Sequence, residues 1–302
     1  MTGRERLAEL LDRLAIGERF TPSLVDGVEF LRSSRPVPRE PVVYDPGIVI
    51  VAQGRKRGYL GGRVFTYDAH NYLVLSVPLP FECETVEASP QKPLLGVVVR
   101  VTPSSIAELL VEMDEDLPLE NQVPQGIYAT PLTDKLNGTA VRLLECLQSP
   151  VDSRILGPQI VREITYLVLR GEQGGALRAL ASRHSQFGQV ARVLRRIHTE
   201  FACSFDIESL AREAHMGVST FHHNFKAVTS TSPMQYLKSI RLHRARMLMA
   251  MEGHNAGTAA NMVGYESASQ FSREFKRFFG RTPGEEAVRM RARTTEPMQP
   301  SL

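Results

Sequence analysis

Residues 221–233 read FHHNFKAVTSTSP, and residues 271–283 read FSREFKRFFGRTP. Both follow one template: Phe, three residues, Phe-Lys, and a little later Ser or Thr followed by Pro. Residues four apart lie on one face of a helix, so each Phe pair is expected to pack inward and to leave a polar face outside. The repetition predicts that the chain builds the same helical unit twice.

Each copy follows a second helical pattern and a turn. Before the first copy, DIESLAREAHMGVST offers Asp206 as an N-cap, a turn at Met216-Gly217 and a new helix near Ser219. Before the second copy, GTAANMVGYESAS has a turn at Gly264-Tyr265 and a restart near Ser267. Helix, short turn and helix make a helix-turn-helix unit, so two such units are predicted.

An unbroken helical stretch, PMQYLKSIRLHRARMLMAM, joins the two units from 233 to 251. Pro233 suits the first turn of a helix. About eighteen residues at a rise of about 1.5 Å give a rod of roughly 27 Å. Such a rod suits two units that enter successive grooves roughly 34 Å apart on one side of DNA. The basic side chains expected to face solvent are Lys238, Arg241, Arg244 and Arg246.

The polar faces opposite the Phe pairs carry short donors and cations, the types that contact base edges and phosphates. An ordinary amphipathic helix with a solvated polar face is the alternative for either copy alone, and the matched pair favours DNA binding. The predicted base-reading residues are Ser219, Thr220, His222 and His223 in the first unit and Ser269, Gln270 and Arg273 in the second. Ser272 shares the second face, and the predicted phosphate contacts are Lys226, Lys276 and Arg277.

Charge is unevenly distributed, although the net charge is only +3. From residue 190 onward the chain has 16 Lys and Arg against 10 Asp and Glu, whereas the first 189 residues hold 20 basic and 23 acidic side chains. A polyanionic partner is therefore expected at the C-terminal end.

The first half of this 302-residue chain has a different character. A helix is predicted over 4–18, and helices return after Pro103 in SSIAELLVEMDE, TDKLNGTAVRLLECL and ILGPQIVREITYLVLRGEQG, followed by a linker over 176–189. Between them, β-rich runs spaced by about eight to twelve residues and separated by turn residues predict an antiparallel barrel or sandwich. These runs are 42–44, 48–53, 63–67, 72–77, 81–86 and 94–101. QGRKRGYLGG, at 53–62, is expected to form a hairpin with a basic turn.

Several function classes are disfavoured. The chain has no apolar run near twenty residues and a charged N-terminus, so we expect a soluble cytoplasmic protein without a membrane partner. Cys83, Cys146 and Cys203 form no CxxC pair and are expected to be buried thiols. The barrel region has a single histidine, His70, and no His-x-His, so neither a metal site, a catalytic residue nor a cofactor is predicted.

The barrel interior is expected to be mostly apolar, which fits either a plain core or a small hydrophobic ligand. Tyr72, Phe81 and Cys83 are candidates for an effector pocket. Cys83 in FECETV is also a candidate for a redox or electrophile-sensing thiol, with a buried core thiol as the alternative.

Residues 190–292 resemble the DNA-binding domain of AraC/XylS-type bacterial transcription regulators. The phrases that carry the resemblance are SLAREAHMGVSTFHHNFKAVTSTSPMQYLKSIRLHRARMLM and MVGYESASQFSREFKRFFGRTP. It implies two helix-turn-helix units joined by a long helix, with the helices near Ser219 and Ser267 in the DNA grooves. The family pattern has Gly where this chain has Ser230, as at Gly280 in the second copy. A Gly that ends a helix commonly adopts positive φ, so Ser230 is expected to carry strain or to end the helix differently.

The N-terminal half resembles the cupin-like sensor half of a subgroup of these regulators, through EPVVYDPGIVIVAQGRKRGYLGGRVFTYD and LVLSVPLPFECETVEASPQKPLLGVVV. The resemblance implies an α+β multidomain protein: an antiparallel cupin-like β-barrel with flanking helices over 1–185, and an all-α DNA-binding domain over 186–302. It further implies double-stranded DNA, a homodimer and in some members a small-molecule effector as partners, with RNA polymerase left open. The alternatives are a constitutive regulator whose barrel only dimerises and a cupin enzyme with a DNA-binding appendage.

Overall fold

The computed structural model describes residues 2–113, 123–181 and 185–295. The first half forms one antiparallel sheet with flanking helices, and the second half is helical, as predicted. None of the helices within these residues is long and apolar enough to cross a membrane.

The sheet follows a first helix, α1 (Gly3–Leu14), whose N-terminus is closed by a capping box between Thr2 and Glu5. The strands are β1 (Arg19–Pro22), β2 (Val28–Ser33), β3 (Val37–Tyr44), β4 (Gly47–Gln53), β5 (Arg55–Leu60), β6 (Arg63–Asp68), β7 (Asn71–Leu75), β8 (Leu79–Glu87), β9 (Leu94–Arg100) and, after helix α2 (Pro103–Met113), β10 (Ile127–Pro131). All six predicted runs are strands, and β1, β2, β5 and β10 are additional.

The strand order is β1-β2-β9-β4-β7-β6-β5-β8-β3, with β10 paired to β7. The sheet curls until its two ends meet through side chains: the rings of Phe20 on β1 and Tyr44 on β3 pack edge to face at 5.6 Å. The N-terminal half is thus a curled, barrel-like sheet that side chains close. β3 is an edge strand, and no described strand other than β8 pairs with it.

The hairpin at 53–62 differs from the expectation of a basic turn. Its turn is Gly61-Gly62, where both residues have positive φ, as a two-residue hairpin turn requires. The basic residues lie in β5 instead, where alternate side chains point inward. Lys56 is therefore only 8% exposed.

The helices that follow are α3 (Asp134–Cys146), α4 (Pro150–Ile155), α5 (Gly157–Leu169), α6 (Gly175–Ala181), α7 (Gln186–Thr199), α8 (Ile207–Glu213), α9 (Val218–Thr229), α10 (Pro233–Met251), α11 (Ala256–Met262), α12 (Ala268–Phe279) and α13 (Pro283–Thr295). The expectation of a linker over 176–189 is wrong for most of that range, because α6 and the start of α7 occupy it. Leu177 and Leu180 of α6 are buried, which ties this segment to the body.

The buried hydrophobic residues form two cores, and the boundary between them does not coincide with the expected domain boundary near residue 185. The larger core runs from the sheet through α5, α6 and α7 and includes Phe221 and Phe225 of the first unit and Tyr236 of the joining helix α10. The smaller core belongs to the second unit and includes Phe271 and Phe275. The first helix-turn-helix unit is therefore packed as part of the N-terminal body, and the second unit has a core of its own.

Three contacts join the first unit and the start of α10 to loops of the sheet. The Tyr236 hydroxyl donates to the carbonyl of Pro78 at 2.8 Å. The Gly126 N–H donates to the carbonyl of Val228 at 3.0 Å. Ser230 lies against Gly61, where a Cβ would come within 2.6 Å of the Ser230 Cβ. The C-terminus of α9 is thus fixed by the hairpin and by the segment before β10.

A charged cluster joins the second unit to edge strand β3. Arg289 of α13 contacts Glu40 at 2.9 Å and Glu286 at 2.7 Å. Glu286 is fully buried and also faces Arg246 of α10 at 3.5 Å. The expectation that Arg246 faces solvent is therefore wrong, because it is 8% exposed and pairs inside this cluster. We call these four residues the β3–α13 charge cluster.

The cysteines differ from the expectation in one respect. Cys83 and Cys146 are buried, but Cys203 is exposed. Cys203 lies in the connection between α7 and α8, where its carbonyl, and not its thiol, is engaged by Arg241 at 2.9 Å.

Candidate nucleic-acid interface

The first unit is built on α7, which braces the short helix α8. Asp206 is the N-cap of α8 and accepts from the Ser209 N–H at 2.8 Å, as predicted. Arg196 of α7 contacts Glu213 near the end of α8 at 2.5 Å. The following helix, α9, begins after Gly217 with no side-chain cap.

The two Phe pairs pack inward, as the spacing predicted. Phe221 and Phe225 are fully buried with ring centroids 5.5 Å apart, and Phe271 and Phe275 are fully buried at 5.4 Å. Ser267 caps α12 by accepting from the Gln270 N–H. Burial of the aromatic face in each unit leaves the opposite face of α9 and α12 outside.

The candidate DNA-contacting side chains lie on these outer faces. Ten are exposed: Ser219, Thr220, His222, His223, Lys226, Ser269, Gln270, Arg273, Lys276 and Arg277. Ser272 is half-buried and lies at the border of the face. Each unit therefore presents a polar surface with at least one cation.

Sequence reasoning missed one position that anchors both outer helices. It is the residue before the second Phe of each pair, Asn224 in α9 and Glu274 in α12. Asn224 is buried and donates to the side-chain oxygen of Gln186 in α7 at 3.1 Å. The sequence offered one signal for this role: both copies of the template have a polar residue at the same position, directly before the second Phe.

Glu274 gathers three donors in the second unit. It accepts from Lys238 of α10 at 3.1 Å, from the Tyr265 hydroxyl at 2.9 Å and from Gln270 at 3.2 Å. Burial raises the pKa of Glu274, but these hydrogen bonds together lower it by more. The net pKa of Glu274 therefore lies below its ordinary value. The carboxylate fixes α12 to the long helix and orients the Gln270 amide.

A shallow depression of about 320 Å³ lies on the outer face of α12. It is lined by Gln270, Arg273, Glu274 and Arg277, which are three or four residues apart and therefore neighbours on one helical face. Arg273 and Arg277 therefore bring two guanidinium groups to the depression that the Gln270 amide also lines. Planar donors of this kind suit guanine edges and phosphates.

Both outer helices end in a left-handed residue. Gly280 has φ of 73°, and Ser230 has φ of 57° at the matching position of α9. The expected strain at Ser230 is therefore present, because a side chain makes this region unfavourable. Each N–H still caps its helix at 2.8 Å: the Ser230 N–H donates to the Lys226 carbonyl, and the Gly280 N–H donates to the Lys276 carbonyl.

The candidate effector residues do not form one group. Phe81 and Cys83 lie together inside the curled sheet with Tyr44 and Tyr67. Tyr72 is buried in other surroundings, where burial and the nearby Glu172 carboxylate raise its pKa to about 12.

His70 is exposed in the turn after β6 and bonds to Arg4 at 2.8 Å. In the part of the chain that the structure describes, no three His, Cys, Asp or Glu side chains are grouped to hold a metal ion.

Family models match both halves of the chain. The model for the N-terminus of AraC-type transcriptional regulators matches residues 24–176, about half of the chain, and the model of a helix-turn-helix domain matches residues 210–287. The chain belongs to the AraC-type transcriptional regulators. Its two helix-turn-helix units are the DNA-binding part typical of that family.

Curated relatives agree with this family. RclR, an RCS-specific transcriptional activator of Escherichia coli, is 39% identical over 88 residues, or 29% of this chain and 31% of RclR. The thermoregulatory protein LcrF of Yersinia pestis is 24% identical over 246 residues, or 79% of this chain and 88% of LcrF. The chain thus spans about a third of RclR and most of LcrF.

Solved structures share the two-part architecture. An apo variant of ToxT from Vibrio cholerae superposes with a TM-score of 0.59 at 12% identity, covering 90% of this chain and 98% of ToxT. ToxT with an unsaturated fatty acid bound gives a TM-score of 0.57 at 14% identity, covering 87% of this chain and 94% of ToxT. At these identities the likeness concerns the fold.

Proposed function

We propose that this AraC-type regulator binds specific duplex DNA with the outer faces of α9 and α12, each in a major groove. The observation that carries the proposal is the duplicated anchoring. A buried Phe pair and a hydrogen-bonded polar residue, the buried Asn224 or the half-buried Glu274, orient each exposed polar face. The DNA-binding part is assigned to residues 186–302 and the sensing and dimerising part to residues 1–185.

Arg273 and Lys276 are neighbouring cations on α12 with different proposed roles, so replacing each one separately distinguishes base reading from phosphate binding. Arg273 lies beside Gln270 in the depression, so Arg273→Ala is expected to cost about 1–3 kcal/mol and to relax preference at one base position. Lys276 is exposed and lies outside that lining. Lys276→Ala is expected to weaken binding to all sequences alike and to lower the salt slope by about 1.

The test begins with selection of bound sequences from a random duplex pool, which supplies the site and its half-site spacing. Binding of the wild type and both variants is then measured on the selected duplex and on single-mismatch duplexes at two salt concentrations. Lys92→Ala serves as the control, because it also removes one positive charge from an exposed side chain but lies far from both units in the sequence. Equal losses for Arg273→Ala and Lys276→Ala on every duplex would contradict the division of roles.

Control by a small molecule is a further part of the proposal. Support comes from the fold shared with ToxT, which has been crystallised with an unsaturated fatty acid bound. Phe81, Tyr67 and Cys83 are buried inside the curled sheet, so an effector that binds there would contact these side chains. Thermal-shift screening of metabolites tests this point, and a screen with no stabilising compound would favour a constitutive regulator.

Dimerisation through the N-terminal half and contact with RNA polymerase are proposed from family membership, and cytoplasmic localisation fits a DNA-binding regulator. Sedimentation of the full chain tests the dimer. Metal analysis of the purified protein tests the alternative of a cupin enzyme, which stoichiometric iron, manganese or zinc would revive.

A further inference from the structure

The last helix in the described part of the chain, α13, lies across the place where the curled sheet closes. The rings of Phe20 on β1 and Tyr44 on β3 pack together there, and we call this pair the seam. Met290 of α13 accepts from a guanidinium N–H of Arg19, the residue before Phe20, at 3.8 Å. The preceding residue of α13, Arg289, contacts β3. Two consecutive residues of one helix therefore contact the two strands that form the seam.

The contact with β3 is a charged one, and α13 orients it from its own side. Glu286 is fully buried and accepts from Nε and from a terminal nitrogen of Arg289, both at 2.7 Å. This two-point pairing fixes the plane of the guanidinium group, which also donates to the Glu40 carboxylate of β3 at 2.9 Å. The Arg289 and Glu40 side chains are only 19% and 20% exposed, so solvent screens their attraction less than that of a surface pair.

The position of α13 determines the position of α12, because the two helices share the smaller core. Ala287 of α13 belongs to that core together with Phe271 and Phe279 of α12. The first unit is held by the N-terminal body, where the Tyr236 hydroxyl bonds to Pro78. The body is thus a common frame to which both helix-turn-helix units are attached.

The second unit also meets the body through α10 and through the α7–α8 connection. α10 passes from one core into the other, with Ile240 in the larger core and Leu242 in the smaller. The turn between α11 and α12 lies against the connection, where a Cβ on Gly264 would come within 2.4 Å of the Ala202 carbonyl oxygen. A single helix between two cores can bend or twist, and the attachment at the seam restrains that motion.

We propose that Glu40 is a positioning residue for DNA recognition: by holding Arg289 of α13 it fixes the outer face of α12 relative to that of α9, and so limits the spacing of the two DNA sites that one protomer accepts. The consequence for DNA rests on the proposed function, whereas the placement of the second unit by Glu40 does not.

The physical reason is preorganisation. A protomer held in one arrangement binds the matching spacing without first selecting that arrangement from several others. The same restraint disfavours other spacings, because each inserted base pair moves one DNA site by about 3.4 Å along the duplex and rotates it by about 34°.

Distances between spin labels test the placement without DNA. Val64 of β6 and Met262 of α11 are exposed, so cysteines introduced there report on the body and on the second unit. Cys203 is replaced by Ser, and the buried Cys83 and Cys146 are protected from the label in the folded protein. We expect one narrow distance distribution in this parent protein.

Glu40→Ala in the parent is expected to broaden the distribution about twofold, because Arg289 loses the carboxylate that it contacts on β3. Glu82→Ala is the matched control, since it also removes an Arg-paired carboxylate from this part of the sheet, but its partner Arg39 lies on β3 and not on α13. It should leave the distribution unchanged. Should Glu40→Ala fail to fold, Glu40→Gln keeps the shape of the side chain and removes its charge. A folded Glu40 variant with the width of the parent would overturn the placement.

Binding to duplexes of altered spacing tests the consequence for recognition. The duplex selected from the random pool is remade with one base pair inserted or deleted between its two conserved blocks. We expect the wild type and Glu82→Ala to lose about tenfold in affinity on each altered duplex. Glu40→Ala is expected to lose only about threefold on them, and to bind the original duplex about tenfold more weakly than the wild type.

Two outcomes separate this inference from the proposed function. The same spacing profile in the wild type and Glu40→Ala would overturn the role of Glu40 and would leave the DNA binding of the protein unaffected. Failure of the wild type to select any duplex would refute the proposed DNA binding, and the spin-label distances would still decide whether Glu40 places the second unit.

Discussion

When Phe275 is replaced by Ala, the second helix-turn-helix unit is expected to unfold while the rest of the protein stays folded. Phe275 is fully buried, with its ring 5.4 Å from Phe271 and 4.6 Å from Phe279. Replacing a buried Phe by Ala costs about 3–5 kcal/mol. A cooperative unit of roughly 40 residues has a stability of about 2–6 kcal/mol, from about 0.05–0.15 kcal/mol per residue. The loss is as large as the stability of the unit.

Phe225→Ala is the matched change in the first unit. Phe225 is equally buried, but its core includes the sheet: its ring lies 5.6 Å from Tyr236, whose hydroxyl bonds to Pro78. The same cost is therefore shared by a much larger cooperative body. Phe225→Ala is expected to lower the stability of the first unit and the sheet together, without unfolding either at 25 °C.

Hydrogen exchange measured by mass spectrometry distinguishes the two outcomes. For Phe275→Ala, peptides of α11 and α12 should lose protection while those of β4 and β9 keep it. For Phe225→Ala, protection should fall moderately in α9, β4 and β9 together. A uniform loss of protection over the whole chain in Phe275→Ala would refute the division into two cores.

Two further predictions concern stability. Ser230→Gly removes a side chain from positive φ and is expected to stabilise the protein by about 0.5–1 kcal/mol in urea unfolding, whereas Ser232→Gly at the N-cap of α10 should give no gain. Burial, and then Arg246, hold the pKa of His243 well below 6.5, so the unfolded state binds the proton more readily and stability falls as pH drops below about 6.5. His243→Leu should flatten this decline between about pH 6.5 and 5, and the exposed His222→Leu should not; an unchanged slope in His243→Leu would argue against the assignment.

Local pattern determined the repeated units of this protein. Four-residue spacing of Phe, an N-cap at Asp206 and Pro233 at the start of a helix depend on neighbours within a turn or two, so the helices α8 to α12 were predictable. The six predicted strands followed from alternation and turn residues for the same reason. Family resemblance added the expectation of strain at Ser230, which its positive φ confirmed.

Only the tertiary structure decided what packs against these elements. The short strands β1, β2, β5 and β10 have weak local patterns and are stabilised by pairing, as when β10 pairs with β7 across more than fifty residues of sequence. Lys56 looked like part of an exposed basic turn until the register of β5 placed it inside the sheet. Arg246 looked solvated until α13 brought Glu286 against it.

The division into cores was also beyond the sequence. Both copies of the template carry the same buried aromatic pair, yet one shares the core of the N-terminal body and the other packs in a separate core. The first copy joins that body through contacts between residues far apart in the chain, such as Tyr236 with Pro78 and Gly126 with Val228. Periodicity reports which face of a helix is buried, but the partner that buries it is set by the path of the whole chain.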